Sequence, residues 1–218
     1  MNARVLLRVA RRILGFDLKG VVSLVLWIAG RRHGVPPGAT AVSYARAQTS
    51  LMMMFLFAMV VELVAAEILL RAIGAPATLR MAVLVIDAYG VLIGLATVAA
   101  GVTRPHVVSA DELRIRYGAF FDLRVPRAQI TTVRHRRNLN EHRTITVADD
   151  HLAVAVSAQT NMLIELAEPI TAVRPLGRRA EVSTIRFFAD DPRAAVAVLQ
   201  PAGDPRPDPQ GVTGSPAA

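Results

Sequence analysis

The sequence predicts an α+β membrane protein in which a transmembrane α-helical hairpin precedes a small cytoplasmic β-barrel or sandwich with a C-terminal capping helix. Two apolar runs lie within residues 46–102, and each reaches the ~20 residues that a helix needs to cross the ~30 Å hydrocarbon core. After residue 102 the pattern changes to short alternating strands. Basic residues flank the apolar region on both sides, and the mean hydropathy of the 218 residues is +0.39.

Residues 1–45 are predicted to form basic amphipathic or interfacial helices. Within residues 3–14, Arg4, Arg8, Arg11 and Arg12 share one helical side and apolar residues the other, a pattern typical of a helix in the membrane interface. The apolar run 18–30 has 13 residues and is too short to span. It could lie in the interface, insert, or pack on the hairpin or the β domain. A cleaved signal peptide is disfavoured, because no soluble secreted domain follows.

The hairpin is predicted to comprise helices over residues 51–70 and 81–102, with Gly74 and Pro76 as breakers between them. Residues 1–50 hold eight basic residues and one acid, a net of +7. Residues 103–143 hold nine basic residues and four acids, a net of +5. Under the positive-inside rule, this distribution predicts a multi-pass plasma-membrane protein with both termini in the cytoplasm.

Acidic and small residues interrupt the apolar hairpin. Glu62 and Asp87 fall at similar depth and could face each other, either as a proton- or cation-binding pair or as protonated residues that help the helices to pack. Glu67 lies near the outer end, where it can reach the interface. Gly90 and Gly94 form a small-xxx-small face suited to helix packing within the hairpin or in a dimer.

Residues 103–200 are predicted to form the β domain. Period-two alternation and turn residues predict strands over 106–109, 113–117, 120–125, 130–134, 144–148, 152–156, 162–166 and 182–189, with a basic turn over 134–140. Asp191 and Pro192 predict the cap and first residue of a helix that extends to residue 200. Residues 201–218 are rich in Pro, Gly and small polar residues and are predicted to form a disordered tail.

The β domain resembles the bacterial pleckstrin-homology-like (PH-like) membrane proteins over about residues 103–200. The stretches that carry the resemblance are PHVVSADELRIRYGAFFDLRVPRAQITTVRHRR, NMLIELAEPI and IRFFADDPRAAVAVL. The preceding helix pair is also similar to the layout of this family, especially in small actinobacterial versions. The resemblance implies a seven-stranded, partly open barrel closed at one end by the C-terminal helix, and it implies no enzyme activity.

Four arginines form the densest basic cluster and are the candidate contacts for lipid headgroups or an acidic partner: Arg134, Arg136, Arg137 and Arg143. The alternative is a solvated loop whose charge only follows the positive-inside rule. The chain has no cysteine, and it lacks the HExxH, P-loop, GxSxG and GxGxxG motifs. We therefore expect no enzyme, no metal, no cofactor and no nucleic-acid partner.

The favoured function is a membrane-anchored, non-catalytic interaction or scaffold module at the inner face of the plasma membrane. Its expected partners are the lipid bilayer and a membrane or cytoplasmic protein, which could be a second copy of the chain. Two alternatives stay open. One is a small transporter or channel subunit that uses Glu62 and Asp87. The other is a module that senses anionic lipid through the arginine cluster.

Overall fold

A computed structural model describes residues 18–175 and 177–200 as an α+β structure with two long apolar helices and two β-sheets. The helices are α1 (Leu18–Ile28), α2 (Arg46–Ala72), α3 (Ala77–Thr103) and α4 (Pro192–Leu199). The strands are β1 (Thr40–Val42), β2 (His106–Val108), β3 (Glu112–Tyr117), β4 (Phe121–Pro126), β5 (Ile130–Asn138), β6 (Ile145–Ala148), β7 (His151–Val154), β8 (Thr160–Val173) and β9 (Arg179–Phe187). The predicted helix over 3–14 and the predicted tail over 201–218 lie outside the described residues.

Helices α2 and α3 form an antiparallel hairpin whose apolar surface is largely uncovered. Each has 27 residues and is long and apolar enough to cross a membrane. Only 6% of the most apolar window of α2 and 11% of that of α3 is buried. An exposed apolar surface of this extent is unfavourable in water and favours association with a membrane. Both helices extend past the predicted apolar runs, because flanking polar residues such as Gln48 and Thr78 continue the helical backbone.

The tip of the hairpin is closed by an acid between two arginines. Gly74 adopts φ +71°, and Pro76 immediately precedes α3, so the chain reverses over four residues, Ile73–Pro76. The Glu67 carboxylate accepts hydrogen bonds from Arg71 and Arg80, both at 2.7 Å. One carboxylate therefore bridges the two helices at the tip.

Gly90 and Gly94 lie where α3 packs closely against α2. A Cβ atom at Gly94 would meet Cδ2 of Leu56 at 2.6 Å, and one at Gly90 would meet Cε of Met59 at 3.1 Å. Leu56 is buried, unlike most of the hairpin surface. The small-residue face therefore lies inside this hairpin and receives side chains from α2.

Helix α1 packs along α3, which is one of the placements that the sequence left open for residues 18–30. A Cβ atom at Gly20 would lie 3.1 Å from the Cβ of Ala96. The buried Ser23 hydroxyl donates to the Lys19 carbonyl at 2.7 Å and accepts from Nε of Arg104 at 3.2 Å. The opposite side of α1 exposes apolar residues, including Val25 and Ile28.

The first sheet is four-stranded and antiparallel, in the order β1-β2-β3-β4. Its edge strand β1 precedes the hairpin in the chain, whereas β2 follows it, and Thr40 pairs with Val108. The sequence assigned all of residues 1–45 to interfacial helices, which is wrong for Thr40–Val42. This strand has only three residues, and its partner lies on the far side of the hairpin, so local periodicity could not identify it.

The second sheet has the order β5-β8-β9-β7-β6 and contains one parallel pair, β7 with β9. The other neighbouring strands are antiparallel. The register between β8 and β9 shifts between Glu165 and Ile170, which bends this long pair. Strand β5 extends to Asn138, four residues beyond the predicted strand 130–134, so the basic turn predicted over 134–140 is wrong for residues 135–138. Arg134, Arg136 and Arg137 therefore lie on β5, an edge strand of this sheet.

Both sheets share one apolar core, and α4 packs into it. The core includes Leu113, Ile115 and Val125 from the first sheet and Ile164 and Ile185 from the second, all without exposed surface. Helix α4 contributes the buried residues Ala195 and Leu199. As predicted, Pro192 is its first residue, and the Asp191 side chain caps it by accepting from the Ala194 amide at 3.0 Å.

The resemblance implied a seven-stranded, partly open barrel over residues 103–200, but eight strands, β2–β9, lie in that range. The described residues form nine strands in two separate sheets, and the barrel is not closed. Strand β4 ends at Pro126, and the 3₁₀ turn Arg127–Gln129 redirects the chain into the second sheet. Pro126 is the last paired residue of β4, opposite Glu112, and β4 and β5 belong to different sheets.

Substitution of Gly94 tests the close approach in the hairpin. We expect Gly94→Ala to lower the thermal unfolding temperature in detergent, because overpacking of a filled site costs about 1–3 kcal/mol. Gly101→Ala is the matched control, since its Cβ would lie at an ordinary 3.6 Å from that of Ala45. Adding Leu56→Ala to Gly94→Ala should recover stability. Equal stability of the two single variants, measured by circular dichroism, would contradict this packing.

Candidate functional site

His106 is the central polar residue of the junction between the base of the hairpin and the two sheets. The residue is 1% exposed and begins β2, three residues after the end of α3. Its Nδ1 accepts from the Arg116 amide at 3.0 Å, and its Nε2 lies 3.0 Å from the Phe188 carbonyl. Because an amide can only donate, Nδ1 carries no proton, and Nε2 must donate to Phe188. His106 therefore connects β3 to the end of β9 in one neutral tautomer.

Burial lowers the pKa of His106 to about 4. Desolvation of the charged form is the main cause, and the nearby Arg116 charge acts in the same direction. The hydrogen bond to the Phe188 carbonyl opposes the shift. A second proton on His106 would also place an N–H against the Arg116 N–H. Both electrostatics and hydrogen-bond geometry therefore keep the ring neutral.

Tyr44 covers His106 and attaches the junction to α2. Its ring stacks on His106 with a centroid distance of 4.6 Å, and its hydroxyl accepts from the Gly118 amide at 2.6 Å. Burial raises the pKa of Tyr44 above its ordinary value. Tyr117 lies 6.1 Å from the same ring and donates to Oε1 of Gln48 at 3.1 Å. The turn between β3 and β4 is thereby held against the first turn of α2.

A buried arginine secures the segment between α1 and β1. Arg116 is 2% exposed, and its guanidinium donates to the carbonyls of His33 at 2.8 Å and Gly34 at 3.2 Å. Gly34 adopts φ +61°, and a Cβ atom there would meet Nη2 of Arg116 at 2.9 Å. Asp122 approaches Arg116 and makes a bidentate pair with Arg114. Two carbonyl groups of this segment thus accept hydrogen bonds from a buried guanidinium group.

The base of the hairpin also contacts the segment that leads into α4. The Asp190 carboxylate accepts from the Arg46 amide at 3.2 and 3.3 Å, and the Asp190 amide donates to the Ser43 carbonyl at 2.8 Å. The amide of His33 donates to the Thr103 carbonyl at 2.7 Å. The ends of α2 and α3 are thus both tied to segments outside the hairpin.

Two basic grooves flank this junction. The first has a volume of about 360 Å³ and lies between the end of α1, the start of α2 and the last turn of α3. Its charged lining residues are Arg31, Arg32, Arg46 and Asp190. The second has a volume of about 570 Å³ and lies beside Tyr117 and Phe120, where Arg143, Arg174 and Arg178 line it.

The four arginines predicted as one cluster are divided between two surfaces. Arg143 lines the second groove. Arg134, Arg136 and Arg137 lie exposed on β5, the edge strand of the five-stranded sheet, where Nη2 of Arg137 is 3.5 Å from Oε1 of Gln159. The junction residues and the arginines of the first groove were not among the predicted site residues. Arg31 and Arg32 were visible as a basic pair after an apolar run, but their proximity to Arg46 depends on the packing of α1.

The acidic residues of the hairpin occupy different environments. The contacts of Gly90 with Met59 and of Gly94 with Leu56 place Glu62 and Asp87 at a similar level along the hairpin. Glu62 is exposed, whereas Asp87 is half-buried. Within the described residues, neither makes a hydrogen bond or an ion pair. Glu67 instead forms the bridge at the tip.

Residues 18–175 and 177–200 contain no group of three or more His, Asp or Glu side chains placed to hold a metal ion. No protein-family model, curated protein or solved structure matches the chain. The geometry of the junction and its grooves is therefore the basis for a functional proposal.

Neutrality of His106 predicts a loss of stability in mild acid. Because its folded pKa of about 4 lies below the ordinary 6.5, its contribution is complete above pH 6.5 and declines as the pH falls toward 4. The full shift corresponds to about 3 kcal/mol, of which about 1 kcal/mol falls between pH 7 and 5.5. The measurement is the thermal unfolding of the full chain in detergent over this range.

His106→Gln is the comparison variant, since Gln does not titrate and can still donate to the Phe188 carbonyl. Its unfolding temperature should fall less steeply with pH than that of the unsubstituted chain. Burial also lowers the pKa of His33, so part of the pH dependence should remain. Identical slopes for the two proteins would contradict the assignment to His106.

Proposed function

We propose that this chain is a membrane-anchored, non-catalytic interaction module that holds its β domain at the inner face of the plasma membrane. The observation that carries this proposal is the junction. The exposed apolar hairpin is joined to the β-sheets by hydrogen bonds of the buried residues His106, Tyr44 and Arg116 rather than by a free linker. Such an anchor fixes the distance and orientation of the sheets relative to the bilayer.

Charge supports an orientation with the base of the hairpin in the cytoplasm. Arg31, Arg32, Arg46 and Arg104 lie around the base. The tip carries Arg71 and Arg80, and Glu67 pairs with both, which leaves a net side-chain charge of +1. The positive-inside rule therefore favours both termini and the β domain on the cytoplasmic side.

The exposed part of β5 is the proposed partner surface. Helix α4 packs beside β5, where Arg127 donates to the carbonyls of Val198 and Leu199 at 3.0 and 3.1 Å. Arg134, Arg136 and Arg137 lie farther along the strand and are exposed. An edge strand has unpaired backbone groups that can accept an added strand, and its arginines favour an acidic segment. We also propose that residues 103–200 are related to the bacterial PH-like membrane proteins that they resemble.

Single-cysteine labelling tests the orientation, since the chain has no cysteine of its own. Ala75→Cys places a thiol at the tip of the hairpin, and Asn140→Cys places one in the exposed loop after β5. In intact bacterial cells, a membrane-impermeant maleimide should label position 75 at once and position 140 only after permeabilisation. Labelling of position 140 in intact cells would contradict the proposed orientation.

Site-directed crosslinking in native membranes tests the partner surface. A photoreactive residue at His135 on β5 should form a discrete adduct, whereas one at the exposed Ala148 on β6, the opposite edge of the same sheet, should not. Charge reversal by Arg134→Glu, Arg136→Glu and Arg137→Glu should remove the adduct. Adducts that persist after charge reversal, or that form equally from position 148, would exclude this edge as the surface.

A further inference from the structure

The first groove combines positive charge with an apolar wall at the base of the hairpin. Its volume of about 360 Å³ lies within the range of ligand pockets, about 300–1,000 Å³. Arg31 and Arg32 approach it from the end of α1, and Arg46 from the start of α2. Trp27 and Val102 line its apolar part.

The arginine side chains of this groove are available to a ligand. Arg31, Arg32 and Arg46 are exposed, and within the described residues none of their guanidinium groups makes a hydrogen bond or an ion pair. The one acidic lining residue, Asp190, directs its carboxylate to the Arg46 amide. Three guanidinium groups and one carboxylate leave the groove with a net side-chain charge of +2. The first amide of α2 is already satisfied and adds nothing to this argument.

The position of the groove indicates an amphipathic ligand rather than a soluble anion. Val102 belongs to the apolar helix α3, and the outward side of α1 exposes apolar residues, with Val25 61% and Ile28 84% exposed. Trp27 is half-buried on the same helix, and tryptophan is enriched at the membrane–water interface. The groove thus borders surface that faces lipid on one side and contains arginines on the other.

We propose that this groove binds the phosphate group of an anionic phospholipid of the inner leaflet. Guanidinium groups of Arg31, Arg32 and Arg46 contact the phosphate oxygens, because arginine matches phosphate geometry with paired donors. The Trp27 indole packs against the glycerol–acyl boundary of the same lipid. The placement in the inner leaflet rests on the proposed orientation, whereas the recognition of the lipid does not.

Lipid binding to the full chain in detergent, after delipidation, tests the proposal. The probes are phosphatidylglycerol, phosphatidylcholine and inorganic phosphate, and the readouts are retained lipid adducts by native mass spectrometry and the thermal unfolding temperature. We expect phosphatidylglycerol to give a retained adduct and to raise the unfolding temperature. Phosphatidylcholine and inorganic phosphate should bind at least about tenfold more weakly.

Two variants with equal loss of charge locate the site. Arg31→Gln with Arg32→Gln and Arg46→Gln should weaken phosphatidylglycerol binding at least about tenfold. Arg124→Gln with Arg179→Gln and Arg193→Gln removes the same charge from exposed positions outside the groove and should bind as the unsubstituted chain does. Equal weakening in both variants would indicate diffuse attraction and overturn the proposal, as would unchanged binding in the groove variant.

Trp27→Leu tests the apolar contact with the lipid separately from the contacts with its phosphate. It remains informative if the triple variant fails to fold. It should weaken phosphatidylglycerol binding without affecting the weak binding of inorganic phosphate. Saturation of the groove by inorganic phosphate as readily as by lipid would replace the lipid with a soluble phosphate ligand and overturn the proposal. Because these measurements use detergent, they are independent of orientation in the cell, which cysteine labelling decides separately.

Discussion

His106 lies where the end of α3, strand β3 and the end of β9 meet, and the rest of the junction depends on its remaining uncharged. An uncharged ring can accept from the Arg116 amide and donate to the Phe188 carbonyl at the same time. Tyr44 stacks on one face, and Phe187 meets the ring edge-to-face at 5.2 Å. A charged ring there would lose one hydrogen bond and bear the cost of desolvation. The connection between the apolar hairpin and the β-sheets therefore consists of directional hydrogen bonds around a buried ring.

Local sequence patterns were sufficient for the elements whose formation is decided locally. The two apolar runs indicated α2 and α3, Gly74 and Pro76 indicated the reversal, and Asp191 with Pro192 indicated α4. Period-two alternation located most strands, because one face of each sheet packs into the core. The parallel pairing of β7 with β9 and the pairing of β1 with β2 could not be read in this way. Both depend on contacts between segments that are distant in the chain.

The candidate site was less predictable than the fold, since charge density along the chain does not report proximity in space. The cluster over residues 134–143 was the densest run of arginines, yet the structure separates Arg143 from the other three. Conversely, Arg31 and Arg46 lie on either side of β1 in the sequence, yet they line the same groove. No sequence motif identified His106 as a site residue, because a single histidine after a helix has no partner at a characteristic spacing. Its role follows from burial and from two hydrogen-bond partners in different strands.

The pairing of β1 with β2 has a consequence for how the protein is assembled. Strand β1 is synthesised before the hairpin and β2 after it, so the first sheet cannot be completed until both helices have been made and their ends brought together. The carbonyls of His33 and Gly34, which Arg116 engages, also precede the hairpin. Completion of the β domain thus follows correct placement of α2 and α3. Once formed, the pairing of β1 with β2 opposes separation of α2 and α3 at the base of the hairpin.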